Sequence, residues 1–400
     1  MNPYRIIISG GGTGGHIFPA ISIAETFKQR FPDSEILFTG ADNRMEMERI
    51  PAAGFQIIGL PVSGFNRKNM LRNILTIAKL LKSLRMAKKI LLEFKPDAVI
   101  GVGGYASGPT LWTAASLKIP TLIQEQNSYA GITNQFLGKK VNRICVAYEG
   151  MERFFPAHKI ILTGNPVRKD LEEGVRKREE ALTCFHLHPA RKTVLIIGGS
   201  LGAQTINNGM LQGFGRLIEA GIQIIWQTGI FYYNEIKQEV SGQDTRDLLW
   251  LSDFISRMDY AYAAADLVVS RAGAGSISEL CLLRKPAILV PSPNVAEDHQ
   301  TKNALAIVNK QAALMIADKD VEGQLADCIL KLIHDPEQLA FLSQNIGQMA
   351  QHRSAACIVD EIEKLMPDHF VPRKDDDDAN RHCEHAAMNE TESRNKRNKQ

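Results

Sequence analysis

Paired cysteines are missing from this chain. Its 400 residues include six cysteines, Cys145, Cys184, Cys281, Cys328, Cys357 and Cys383, and no two stand in a C-x-x-C pattern. Thiols scattered over a long chain speak against a zinc cage or a disulfide-stapled fold and for a reducing compartment. No run of about 18 apolar residues occurs, so nothing reads as a membrane-spanning helix. The opening MNPYRIIISGGG lacks the basic, apolar and small-residue regions of a signal peptide. The chain is therefore expected to be made and kept in the cytoplasm, free to lie on a membrane. An excess of one charge is also lacking: 47 Lys and Arg face 44 Asp and Glu, a formal net charge of +3. That balance excludes a polybasic nucleic-acid binder and leaves only local basic surfaces.

What is present is ordinary globular material, 44% apolar and 23% charged. At about 150 residues per domain the length suggests two or three domains. Short β-rich runs alternate with amphipathic stretches. Tyr4–Ser9, Glu35–Thr39, Phe55–Leu60, Asp97–Gly103, Thr121–Gln126, Arg143–Ala147 and Ile160–Thr163 read as strands. After a polar stretch the pattern restarts with Thr193–Ile197, Ile222–Gln227, Asp266–Ser270 and Pro286–Pro291. This alternation predicts an α/β fold with parallel sheets covered by helices on both faces. Each half opens with a strand, a glycine turn and a helix. The expected organisation is a Rossmann-like domain over 1–165, a linker over 166–192, a second Rossmann-like domain over 193–366 and a polar tail over 367–400. The tail carries Asp375–Asp378 and almost no large apolar residues, so burial cannot offset its ordering entropy and disorder is expected.

Glycine clusters mark the strand ends. Gly10-Gly11-Gly12-Thr13-Gly14-Gly15-His16 follows the first strand and formally satisfies G-x-G-x-x-G. The acidic residue that a dinucleotide site needs at the end of strand two is replaced by Thr39-Gly40-Ala41, which argues against a Rossmann oxidoreductase. Gly103–Gly108 follows the fourth strand, and Gly198–Ala203 opens the second half with Ser200 in place of the second glycine. Three such loops suit phosphate oxygens, which backbone N–H groups cradle. A fourth strand–helix junction reads Ser270-Arg271-Ala272-Gly273-Ala274-Gly275-Ser276-Ile277-Ser278-Glu279. Ser276 and Ser278 are cap-type residues, and a helix N-terminus favours anions. Glu279, placed in the first turn, either compensates the helix dipole or accepts from two ribose hydroxyls.

Leu60–Lys95 contains Arg67, Lys68, Arg72, Lys79, Lys82, Arg85, Lys88, Lys89 and Lys95 against the single acid Glu93. Interleaved Leu, Ile and Met make it a basic amphipathic helix, suited to anionic lipid head groups or simply to covering a sheet with a solvated outer face. Missing aromatics argue against nucleic acid. His16, Glu125 and His299, each beside a strand end, are the acid–base candidates.

Together these motifs, with Gln124-Glu125-Gln126-Asn127, Ala130–Asn134, Gly164–Arg168 and Asp298–Ala304, resemble glycosyltransferase family 28. The likeness runs in order over about residues 4–365. It implies a GT-B fold, two Rossmann-like domains facing across a cleft. It also implies inverting transfer of GlcNAc from UDP-GlcNAc to the 4-hydroxyl of the MurNAc of lipid I, giving lipid II and UDP for peptidoglycan. No metal and no cofactor is implied. The family pattern assigns UDP-GlcNAc to Ser200, the backbone at Ile255, Ala274, Gly275, Ser276, Ile277, Ser278, Glu279 and Gln300. Thr13, Gly14, Gly15 and Asn127 would close over the sugar, with Arg168 in a further donor motif. His16 is expected as the general base, with Glu125 second. The Arg67–Lys89 region would dock on anionic lipids at the cytoplasmic face of the cell membrane as a peripheral contact. Another GT-B lipid glycosyltransferase, a nucleotide-sugar epimerase and a non-catalytic sugar-nucleotide sensor are the alternatives.

Overall fold

The computed structural model describes residues 3–62, 70–167, 171, 177–199 and 201–367. Arg168, Ser200, the start of the basic segment with Arg67 and Lys68, and the tail beyond 367 lie outside the described residues.

Two parallel sheets organise the chain. The first holds β1 (Arg5–Ser9), β2 (Glu35–Ala41), β3 (Gln56–Leu60), β4 (Ala98–Gly101), β5 (Thr121–Glu125), β6 (Arg143–Val146) and β7 (Ile160–Leu162) in the order 3-2-1-4-5-6-7. The second holds β8 (Thr193–Ile197), β9 (Gln223–Gln227), β10 (Leu249–Ser252), β11 (Leu267–Ser270), β12 (Ala287–Leu289) and β13 (Leu314–Met315) in the order 10-9-8-11-12-13. Central strands such as β4, β5, β8 and β11 are buried along their whole length. Continuous apolar runs are what a sheet covered on both faces requires.

Helices supply those covers. Gly14–Arg30 buries Ile17, Ile23, Ala24 and Phe27 on the first sheet, and Gln204–Glu219 buries Ile206, Met210, Phe214 and Leu217 on the second. The last described helix, Ser354–Leu365, follows the second sheet in sequence but packs on the first: Ile358, Val359 and Ile362 join Ile6, Ile8, Phe27 and Ile100 in one core. Arg30 pairs with Asp360 and, at 3.2 Å, with Glu363. The first lobe thus includes this returning helix, which the sequence order alone assigns to the second.

Strand order also determines where loops gather. β1 lies between β2 and β4, and β8 between β9 and β11. The chain winds in opposite directions from each of these points, and the crevice beyond the strand ends there is where open α/β sheets bind ligands. The loops leaving β1, β4, β8 and β11 are the four glycine-rich motifs of the sequence.

Candidate active site

The loop after β1 is held from behind by a carboxylate. Glu46, fully buried, accepts from the N–H of Gly12 at 3.0 Å and of Ala41 at 3.0 Å. The loop after β4 presses on it. Gly104 sits at φ +82°, and a Cβ there would stand 2.4 Å from the Gly11 carbonyl oxygen. Only glycine allows both the left-handed backbone and this approach. Neither contact is written in local sequence.

His16 lies in the first turn of helix Gly14–Arg30. Its Nδ1 is 3.0 Å from Gln126 Oε1. Desolvation pushes the imidazole pKa below its usual 6.5, and like charge on His299 of the second lobe acts in the same direction. Hydrogen bonds to Gln126 and the Val102 carbonyl, and the negative charge of Glu46, oppose that shift. The net lowering keeps the ring neutral at pH values where an exposed histidine is half protonated. If His16 is the base, the acid limb of a kcat/KM–pH profile falls below 6.5 and activity is lost as pH drops through it. Replacing Gln126 by Met, which removes the opposing hydrogen bond, moves that limb lower still.

Glu125, at the end of β5, is buried and saturated with donors. Oε1 accepts from Asn127 N at 3.0 Å and Asn127 Nδ2 at 3.3 Å, and Oε2 from Gly131 N at 3.1 Å and Asn134 Nδ2 at 2.9 Å. Burial pushes its carboxyl pKa up, and these bonds pull against that. Asn127 is itself spoken for, because its Oδ1 accepts from Asn303 Nδ2 at 3.0 Å. Asn303, fully buried in helix His299–Val308, also accepts from the Ser128 N–H at 2.8 Å. One asparagine thereby ties the two lobes together beside the loop that follows β5.

In the second lobe, helix Ala274–Leu282 starts at an extended Gly273 and has no acidic residue in its first turn. No side chain caps its first N–H groups, which leaves them available to an anion. Two sequence expectations change here. Gly273, not a serine, is the N-cap, and Ser278 instead donates back to the Ala274 carbonyl at 2.9 Å. Glu279 falls in the second turn, so dipole compensation does not explain it; the Tyr262 hydroxyl donates to its Oε2 at 2.8 Å. Gln300 Oε1 accepts from Ser292 N at 2.9 Å, which orients its amide. The Ile255 N–H donates to Gln227 Oε1 at 2.9 Å, and Phe254 beside it is 56% exposed. Gln227 Nε2 in turn holds the Gly199 carbonyl at 3.0 Å. Thr13, Gly14 and Gly15 flank His16, while Ala274, Gly275, Ser276 and Ile277 form the opening turn of the second-lobe helix.

Two α/β lobes, glycine loops at both switch points and a helix N-terminus beside them define a GT-B fold built to hold a phosphorylated ligand. The model of the glycosyltransferase family 28 N-terminal domain matches residues 6–146, and that of the family's C-terminal domain residues 193–358. The chain belongs to glycosyltransferase family 28. It is 63% identical over 366 residues, 92% of this chain and 99% of the relative, to a protein of Parabacteroides distasonis. That protein is named UDP-N-acetylglucosamine--N-acetylmuramyl-(pentapeptide) pyrophosphoryl-undecaprenol N-acetylglucosamine transferase. A Phocaeicola vulgatus protein of the same name is 59% identical over 361 residues, 90% of this chain and 96% of the relative. Among solved structures, Acinetobacter baumannii MurG superposes with a TM-score of 0.75 at 27% identity, covering 90% of this chain and 100% of that one. A Neisseria meningitidis UDP-GlcNAc 2-epimerase, at 16% identity and a TM-score of 0.62 over 90% of this chain and 100% of that one, shares the fold.

Proposed function

We propose that this enzyme transfers GlcNAc from UDP-GlcNAc to the 4-hydroxyl of the MurNAc of lipid I, releasing lipid II and UDP. The likeness over nine-tenths of the chain to enzymes named for that reaction carries the reading, and the site chemistry fits it. Direct displacement requires a base on the acceptor side of the sugar and stabilisation of the departing diphosphate on the other. His16, kept neutral by its surroundings, is the base. The carboxylate of Glu125, fully used by its own loop, positions that loop. The open N-terminus of helix Ala274–Leu282, with Ser276 in its first turn, receives the diphosphate. Ser200 and Arg168 are assigned to the donor by the motif alone. Glu279, oriented by Tyr262, takes the ribose hydroxyls. With the Ile255 N–H engaged by Gln227, a pyrimidine edge there takes the Ile255 carbonyl, with Phe254 as a stacking face. Gln300 presents its amide to the sugar or diphosphate, and Thr13, Gly14, Gly15 and Asn127 close from the first lobe.

This division makes residues 1–165, with the returning helix Ser354–Leu365, the acceptor and membrane side, 166–192 the linker and the rest of the lobe from 193 the donor side. Helix Met70–Phe94 buries Ile90 and Leu91 against the sheet, with Ala87 also buried, while Ile77, Leu81, Lys79, Lys82 and Lys88 face solvent. Trp112 stacks on the exposed Phe136 at 4.9 Å, with Lys140 Nζ 4.2 Å from the Trp112 ring. Cations beside exposed apolar and aromatic groups suit an anionic membrane surface. No described helix is long and apolar enough to cross a membrane. Replacing Lys82 and Lys88 by Gln should weaken sedimentation with phosphatidylglycerol vesicles about fivefold for each charge removed and leave binding to neutral vesicles unchanged.

The reading is tested by turnover of UDP-GlcNAc with a lipid I analogue. UDP release that depends on the analogue supports it. Conversion of UDP-GlcNAc without any acceptor would support an epimerase instead.

A further inference from the structure

Three side-chain amides link the two lobes behind His16, and their directions are not free. The NH2 of Gln126 is 2.7 Å from the Val102 carbonyl and also meets Gln124 Oε1. The NH2 of Asn165 donates to the Gln126 carbonyl at 3.0 Å and to Ser278 Oγ at 3.0 Å. Between them Gln124 Nε2 donates to Asn165 Oδ1 at 2.8 Å. Backbone carbonyls only accept, so the Val102 and Gln126 carbonyls fix which end of Gln126 and of Asn165 is NH2. Gln124 then has one consistent orientation. All three amides are buried, where an unmatched donor is costly.

It follows that the end of Gln126 facing His16 is its oxygen, which cannot donate. We infer that Gln126 is a positioning residue that locks neutral His16 in the tautomer with the proton on Nδ1. The lone pair then sits on Nε2, the nitrogen that takes the proton of the acceptor hydroxyl. The opposite tautomer would set a bare Nδ1 against Gln126 Oε1, two acceptors at 3.0 Å. The chain ends on Ser278, one turn inside the helix that receives the diphosphate, so the orientation of the base depends on contacts from both lobes. The catalytic consequence rests on His16 being the base; the tautomer assignment does not.

The test is long-range 1H–15N NMR of the full-length protein labelled with 15N-histidine, with the His16 signal assigned by its loss in His16→Gln. The expected spectrum has a protonated Nδ1 and a bare Nε2. In Gln126→Met the two tautomers mix and kcat falls about five- to tenfold, the equivalent of one net hydrogen bond, with KM for UDP-GlcNAc unchanged. Gln126→Glu, which restores an acceptor oxygen, recovers the Nδ1–H spectrum and moves the acid limb of the pH profile upward. A protonated Nε2 in the unsubstituted protein overturns the inference, and an unaltered spectrum in Gln126→Met removes Gln126 from it. Full turnover by His16→Gln would instead overturn the base reading and leave the tautomer to stand on the spectrum.

Discussion

His16→Gln is expected to lower kcat by a factor on the order of 10² to 10⁴, the usual contribution of a positioned general base. KM for UDP-GlcNAc should change little, because His16 acts on the acceptor hydroxyl. Glutamine retains polarity and much of the volume, so loss of packing is not the quantity tested. Single-turnover rates at saturating donor and lipid I analogue are the direct measurement. The variant should also lose the acid limb of the pH profile. A variant with near-normal turnover and an unchanged profile would move the base elsewhere. Glu125 would inherit the role only by giving up some of the four hydrogen bonds that hold residues 127–134.

Gly104→Ala should be among the most damaging single methyl additions in the first lobe. The residue is at φ +82°, and the added carbon would lie 2.4 Å from a backbone oxygen of the neighbouring glycine loop. Strain and displacement together should cost about 2–4 kcal/mol, read from the denaturation midpoint. Gly12→Ala separates the two causes. Gly12 is also left-handed, at φ +89°, but an added carbon meets nothing within 4 Å. It should therefore cost only about 1 kcal/mol. Equal losses in the two variants would mean that the contact between the loops is not what constrains Gly104.

Much of this arrangement is legible in the order of residues. Eleven strand runs read from the sequence sit within a residue or two of strands in the structure, because buried parallel strands write themselves as unbroken apolar runs. Leu249–Ser252 and Leu314–Met315 escaped. The first is a half-buried edge strand of mixed character and the second is two residues long. The glycine loops were visible because chain-reversing turns need glycine nearby in sequence. The polar groups behind them were not. Glu46 reaches Gly12 across 34 residues, Gln126 reaches His16 across 110, and Asn303 reaches Asn127 across 176. Each is an ordinary polar residue until the sheet order brings its partner close. Glu279 shows the local version of the same limit: one turn of difference in where a helix begins changed the physical reading of a carboxylate.

The central claim is a one-step displacement at a cleft between two lobes, with His16 on one face of the sugar and the diphosphate on the other. The configuration of the new glycosidic bond tests it most directly. Starting from the α-linked sugar of UDP-GlcNAc, the account predicts a β-linked product, seen as a large trans-diaxial H1–H2 coupling in the 1H NMR spectrum of the disaccharide released from the lipid. An α-linked product, with the small coupling of retention, would contradict it.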